Sequence, residues 1–218
     1  MAKKAGVVVF PGSNCDRDMK LGLEASGFDV TMLWHKDASV PKLDLIVLPG
    51  GFSYGDYLRC GAIAAHSNII QEVKKHANEG RLVLGVCNGF QILCESGLLP
   101  GVLLSNKTLK FICNTQELAV ESNDNIFTKK YKKGEKVSFP IAHHDGNYFA
   151  DEKTLKTLED KGQIAFRYAN NPNGAAHDIA GITNEKGNVL GMMPHPERAV
   201  SGELGGVDGK RFFDNLVG

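Results

Sequence analysis

Hydrophobic and polar positions change their rhythm about halfway along the chain. In the first half, short apolar runs alternate with stretches of helical spacing. Ala5 to Phe10 (AGVVVF) is a β-branched run closed by Pro11-Gly12, and Asp16 to Ser26 follows with Met19 and Leu23 on one face before Gly27. Phe28 to Leu33 (FDVTML) and Leu45 to Leu48 read as the next two strands, the second ending in Pro49-Gly50-Gly51. After a loop, FSYGDYLRC, the apolar residues Ile70, Val73 and Ala77 recur at helical spacing and predict one helix over Gly61 to Glu79, stopped by Gly80. Leu82 to Val86 (LVLGV) is a fourth strand, nearly continuous in apolar character, which suits a parallel sheet covered on both faces.

From Thr108 onward the segments are short and alternating: LKFICNTQELAVES, EKVSFPIAHHDGNYF, QIAFRYANNPNG and HDIAGITNEKGNVLGMM. They read as antiparallel hairpins, with Asn173-Gly174 and Lys186-Gly187-Asn188 as turns, and Asp208 to Val217 reads as a closing helix. The expectation is an α/β fold over residues 1–218 as a single domain: an open, largely parallel sheet flanked by helices, with antiparallel additions in the C-terminal half.

Composition narrows the function. The chain has 218 residues, 42% of them hydrophobic, enough for one sizeable core. Lys+Arg and Asp+Glu both number 25, so no net field attracts nucleic acid or anionic lipid. The apolar run in MAKKAGVVVF is too short for a signal peptide, and no run approaches the roughly 18 apolar residues of a membrane span, so a soluble, cytoplasmic protein is expected. The 5 cysteines contain no C-x-x-C pair, which disfavours a disulfide framework or a thiolate zinc site.

One of those cysteines stands apart. In LGVCNGFQIL, Cys87 falls where the fourth strand meets the helix beginning near Asn88, between Gly85 and Gly89. G-x-C-x-G is the layout of a nucleophile elbow, in which a tight strand-to-helix turn projects the nucleophile from the carboxyl end of a strand. The helix N-terminus contributes about 0.3 to 1 kcal/mol toward thiolate, short of the roughly 1.4 kcal/mol of a tenfold change. A base is therefore needed, and Met193-Pro194-His195-Pro196-Glu197 offers one. In extended chain, residues two apart share a side, so Glu197 can hold one imidazole nitrogen of His195 and leave the other for the thiol. Gly51, free of a side chain, can turn its N–H toward a reacting carbonyl, and the Asn88 N–H supplies a second oxyanion donor. Gln91, one turn beyond Cys87, is placed to contact a bound amide. The chain carries no G-x-x-x-x-G-K-[ST] cradle and so no recognisable nucleotide-phosphate loop.

These residues resemble the class I, triad-type glutamine amidotransferases. GGFSYGDYLRCGAIAA, LGVCNGFQIL, NPNG...IAGI and GMMPHPERA narrow the likeness to the glutaminase subunits of phosphoribosylformylglycinamidine synthase, over nearly the whole chain from PGSNCD onward. The resemblance implies hydrolysis of L-glutamine by Cys87, His195 and Glu197, with oxyanion donors at Gly51 and Asn88 and a glutamine contact at Gln91. It also implies ammonia delivery to a separate synthetase subunit that uses ATP and magnesium, with a small bridging subunit in the complex. No cofactor or metal is expected in this chain. The family pattern IAHGEG reads Ile141-Ala142-His143-His144-Asp145-Gly146 here, so His144 and Asp145 alter a loop expected to border the glutamine pocket.

Phe52 to Arg59 carries the aromatics and arginine that interface hot spots favour, and is expected to dock the synthetase. His143 and His144, adjacent in a strand, face opposite ways and make no metal pair. His35, His66, His76 and His177 read as surface or loop residues, Cys94 as core, and Cys15 and Cys60 as loop residues without an assigned role. Three alternatives stay open: the glutaminase of another amidotransferase, a peptidase- or deglycase-like cysteine hydrolase, and a non-catalytic subunit. The hydrolases usually place histidine straight after the cysteine, where Asn88 stands here.

Overall fold

The computed structural model describes residues 2–56, 60–204 and 206–217. Its first half follows the alternation: β1 (Lys4–Val9), α1 (Asp16–Ala25), β2 (Asp29–Trp34) and β3 (Leu45–Leu48) precede two helices, α2 (Cys60–Ala65) and α3 (Asn68–Asn78). Then come β4 (Leu82–Val86) and α4 (Asn88–Glu95). The second half holds β5 (Val102–Leu104), β6 (Ile112–Val120), β7 (Lys136–His143), β8 (Asn147–Phe149), α5 (Glu152–Asp160), β9 (Ile164–Tyr168), β10 (Ile179–Thr183), β11 (Val189–Met192) and α6 (Asp208–Val217).

Nine strands form one sheet in the order β2-β1-β3-β4-β11-β10-β9-β6-β7, while β5 and β8 pair separately. β2, β1, β3, β4 and β11 are parallel neighbours, the 2-1-3-4-5 order of doubly wound sheets. From β11 outward every pairing is antiparallel. The β4 and β3 runs are buried almost throughout because helices cover both faces, as continuous apolar strands require. The carboxyl ends of β1, β3, β4, β11 and β7 all point one way, so the segments leaving them meet at one edge.

The sequence reading and the structure part at four places. Gly61–Glu79 is not one helix: Ser67 is extended (ψ 151°) as the N-cap of α3, and its hydroxyl donates to the Ala64 carbonyl at 2.7 Å, which closes α2. Helix α5 was not foreseen; Asp151 caps it by accepting the Thr154 N–H at 2.7 Å. Asn173-Gly174 is not a two-residue hairpin turn but part of a longer β9–β10 connection, folded around the Asn171 side chain, which accepts both their N–H groups. His35 and His76 are buried rather than superficial, held by the Tyr54 hydroxyl at 3.0 Å and the Leu82 carbonyl at 3.1 Å. Cys94 is buried in the core. Tyr57, Leu58 and Arg59 of the docking loop lie outside the described residues.

Candidate active site

Cys87 is built as a strained corner. Its φ of 53° and ψ of −109° put a β-carbon in backbone space that non-glycine residues avoid. The strain is held by a Cys87 N–H bond to the Met192 carbonyl at 2.8 Å and by the start of α4, where Phe90 and Gln91 N–H groups donate to the Cys87 carbonyl. The flanking glycines are steric necessities. A β-carbon on Gly89 would overlap the Leu48 carbonyl, and one on Gly85 would stand 2.7 Å from the Gly89 carbonyl oxygen. Both keep α4 packed against β3 and β4, which aims Cys87 at the sheet edge.

His195 and Glu197 arrive from the carboxyl end of β11, the strand beside β4. His195 Nδ1 and Glu197 Oε1 are 2.6 Å apart, and both side chains are about 1% exposed or less. Nδ1 therefore carries the proton it donates to the carboxylate, and Nε2 has no hydrogen-bond partner. A β-carbon placed on Gly50 would stand 2.7 Å from His195 Cε1 and 2.9 Å from Cys87 Cβ, so imidazole and thiol flank the same bare glycine. Burial disfavours a charged His195, yet the Glu197 carboxylate, and then the Cys87 and Cys15 sulfurs, overcome it and lift its pKa well above the ordinary value. Neither sulfur closes a hydrogen bond to Nε2 in this geometry.

A cavity of about 280 Å³ opens over these groups, close to the smallest ligand sites. Cys87, His195, Gly51, Asn88 and Gln91 all line it, so the structure brings every sequence-nominated residue except Glu197 to its wall. Glu197 lies behind His195. Gly51 holds φ at +89°, and a β-carbon there would meet the Cys15 N and Sγ at 2.9 Å each. Gln91 does more than face the cavity. Ser53 N–H donates to Asn88 Oδ1 at 3.0 Å, Asn88 Nδ2 to Gln91 Oε1 at 2.9 Å, and Gln91 Nε2 to the Asp145 carbonyl at 2.8 Å. That chain ties the glycine turn, α4 and the loop after β7 into one rigid wall.

Several lining residues were not nominated. Cys15, 2% exposed, stands at the head of α1, where Arg198 Nη2 donates to its sulfur at 3.1 Å and Arg198 Nε to Asp18 at 3.3 Å. The spacing of Asn14-Cys15 gives no hint of this, because Arg198 is far away in sequence. The exposed rings of Phe52 and Phe111 stack at the mouth, their centroids 6.3 Å apart. His143 lies in the wall, buried, its Nδ1 3.1 Å from Asn106 Oδ1. Burial and the neighbouring His195 push its pKa down to about 4. His144 bonds to Asp145 at 2.7 Å, and Asp145 in turn accepts from Ser105 at 2.7 Å. The residues that depart from the family pattern thus brace their own loop.

Comparison with known proteins gives concordant results. A family model described as the CobB/CobQ-like glutamine amidotransferase domain matches residues 2–204. The phosphoribosylformylglycinamidine synthase subunit PurQ of Ruegeria sp. (strain TM1040) is 58% identical over 216 residues, covering 99% of this chain and 97% of that protein. Among solved structures, PurLQS from Thermotoga maritima superposes with a TM-score of 0.91 at 49% identity, over 99% of this chain and 98% of that one. The glutaminase domain of Trypanosoma brucei CTPS with bound acivicin gives 0.63 at 13% identity, over 99% of this chain and 94% of that one, a likeness of fold alone.

Proposed function

The chain belongs to the CobB/CobQ-like glutamine amidotransferase domain family, and on that premise we propose that it is the glutaminase subunit of phosphoribosylformylglycinamidine synthase. It hydrolyses L-glutamine and hands ammonia to an ATP-dependent synthetase subunit, which converts formylglycinamide ribonucleotide to the amidine. The near full-length identity to PurQ carries the pathway assignment. The buried His195–Glu197 pair beside a strained Cys87 carries the chemistry.

In the proposed reaction the Cys87 sulfur attacks the carboxamide carbon of glutamine, and the N–H groups of Gly51 and Asn88 receive the developing oxyanion. His195 takes the thiol proton and gives it to the departing nitrogen, so the C–N bond breaks and ammonia leaves. Water, deprotonated by His195, then adds to the γ-glutamyl thioester and releases glutamate and the free thiol. Glu197 keeps the imidazole in the one tautomer that leaves Nε2 available, and stabilises it when charged. Gln91 contacts glutamine at the cavity wall while holding the loop at Asp145.

No metal or cofactor enters these steps; ATP and magnesium belong to the synthetase. The 218 residues act as one unit, in the cytoplasm, alongside the synthetase and a small bridging subunit. Among the described residues no helix is long and apolar enough to cross a membrane. Phe52 and Phe111 at the cavity mouth support docking of the synthetase there. Cys87→Ala in the assembled enzyme should abolish glutamine-dependent product while sparing ammonia-dependent synthesis. Loss of both activities would mean that Cys87 serves the fold or the assembly instead.

A further inference from the structure

The large sheet has an open edge beside the cavity mouth. β6 pairs with β7 from Ile112 to Ala119, but with β9 only from Leu118 to Val120. Val120 exchanges backbone bonds with Gly134 and Glu135 on the β7 side, while the Glu117 carbonyl accepts the Ala169 N–H on the β9 side. Backbone groups alternate in direction along a strand, so the odd-numbered residues of β6 face β9. Among the described residues, no backbone partner meets the N–H or C=O of Cys113 and Thr115 on that side. Cys113, Asn114 and Thr115 are exposed. Open edges template further strands, and proteins guard them with charge, proline or a bulge. The stretch Ile112 to Gln116 (ICNTQ) has no charged residue and no proline, and it pairs with β7 without a break in register.

The residues leading into this edge add an apolar anchor and charge. Leu109 is 73% exposed with φ at 55°. That left-handed backbone is held by the Leu109 N–H on the Asn106 carbonyl and by Asn106 Nδ2 on the Lys110 carbonyl, both at 2.8 Å. A strained turn therefore keeps a large apolar side chain in water, from which the isolated chain gains nothing. Phe111 follows, stacked on Phe52. Lys107 and Lys110 flank Leu109, both exposed, and neither pairs with a carboxylate among the described residues.

We propose that the N-terminal half of β6 receives an added strand from the synthetase subunit, an extended segment with apolar side chains for Leu109 and Phe111 and acidic ones for Lys107 and Lys110. The added strand lies in line with β9 and bonds to the main chain of Cys113 and Thr115, which supplies affinity, while the side chains supply specificity. Phe111 and Cys113 both line the active-site cavity, so the added strand borders its mouth. The synthetase is the occupant because the ammonia formed in that cavity has to reach it, and the edge is continuous with the Phe52–Phe111 mouth.

This inference rests on the proposed function, which supplies the partner, and its test reads binding rather than catalysis. Residue-resolved amide hydrogen exchange compares the free chain with its complex with the synthetase. The N–H groups of Cys113 and Thr115 should exchange roughly tenfold more slowly, or slower still, in the complex. Thr115 stands opposite Pro140, so Thr115→Pro removes an outward N–H without breaking a bond to β7. It should weaken synthetase binding by roughly tenfold, about the worth of a lost backbone hydrogen bond. Thr115→Val keeps the N–H and should bind as the parent does. Should the proline variant fold poorly, Leu109→Asp tests the anchor outside the sheet and should weaken binding likewise. Unchanged exchange at both amides, or parent-like binding by folded Thr115→Pro or by Leu109→Asp, overturns the proposal. So does protection conferred by the small subunit alone, or by a second copy in the isolated chain at high concentration. A protected edge in a complex that hydrolyses no glutamine refutes the glutaminase reading and leaves the strand site standing. Glutamine hydrolysis by a complex whose edge exchanges freely does the reverse.

Discussion

Two histidines in the same cavity wall, His195 after β11 and His143 at the end of β7, start from nearly identical circumstances. Each is buried, each offers Nδ1 to a side-chain oxygen, and each keeps Nε2 without a hydrogen-bond partner. They diverge because of what that oxygen belongs to. Glu197 presents a carboxylate 2.6 Å away and lifts His195, whereas Asn106 presents a neutral amide and lets burial take His143 down to about 4. Pairs of titratable groups pushed apart in this way mark an acid–base assignment. His195 is suited to cycle a proton, and His143 to remain neutral throughout.

Asn106 makes that neutrality rigid. Its Nδ2 donates to the Lys110 carbonyl at 2.8 Å and the His143 carbonyl at 3.0 Å, while Oδ1 accepts the Gly146 N–H at 3.1 Å. With the amide oriented by those three bonds, Oδ1 can only accept from His143, so Nδ1 holds the proton and Nε2 a lone pair. A β-carbon on Gly146 would overlap the His143 ring, so the loop stays closed over it only while that position is bare.

The comparison breaks most sharply if His195 is dispensable. His195→Asn, which keeps an N–H for Glu197, should lower glutamine hydrolysis by about 10⁴, the upper range for removing a general acid–base. Loss of less than tenfold in steady-state assays would assign the proton transfers elsewhere.

The next effect is on stability. An unfolded histidine binds its proton near 6.5, while folded His143 resists protonation until about 4. A depressed histidine contributes its full stability above 6.5 and forfeits it as pH falls from 6.5 toward 4, a loss of about 3 kcal/mol from this site alone. Denaturant titrations across that window should record the loss. Asn106→Asp should flatten the slope by giving His143 a carboxylate, at some cost to stability near neutrality. An unchanged slope would mean that another group carries the acid sensitivity.

The smallest change makes His195 resemble His143. Glu197→Gln replaces the carboxylate by an amide and should cost about 10² in turnover, less than loss of the base itself. Histidine NMR should record a fall in the His195 pKa toward the ordinary range. Equal losses in the Glu197→Gln and His195→Asn variants would deny Glu197 a purely orienting part.

How legible this was in the sequence depended on the range of the interactions. The elbow could be read because its causes are local: Gly85 and Gly89 bracket Cys87 within one turn, and His195 and Glu197 share a side by simple two-residue periodicity. The parallel strands were equally plain from unbroken apolar runs such as LVLGV. The placement of β11 beside β4 was not, since nothing in VLGM specifies a parallel partner. The pairing of Cys15 with Arg198 and the bond from Asn106 to His143 were hidden for the same reason, as each spans a long stretch of chain. Local competition explains the other misses, for Ser67 and Asp151 redirect the backbone through single side-chain bonds that periodicity does not register.

Peptide-mapped mass spectrometry tests the central claim most directly, after treating the protein with 6-diazo-5-oxo-norleucine, a glutamine-like electrophile, with and without its synthetase partner. Among the described residues three cysteines line the cavity, Cys15, Cys87 and Cys113, so the position of the adduct discriminates among them. A single adduct on Cys87, suppressed by excess glutamine, is the predicted result. An adduct on Cys15 or Cys113, or none even with the synthetase present, would contradict it.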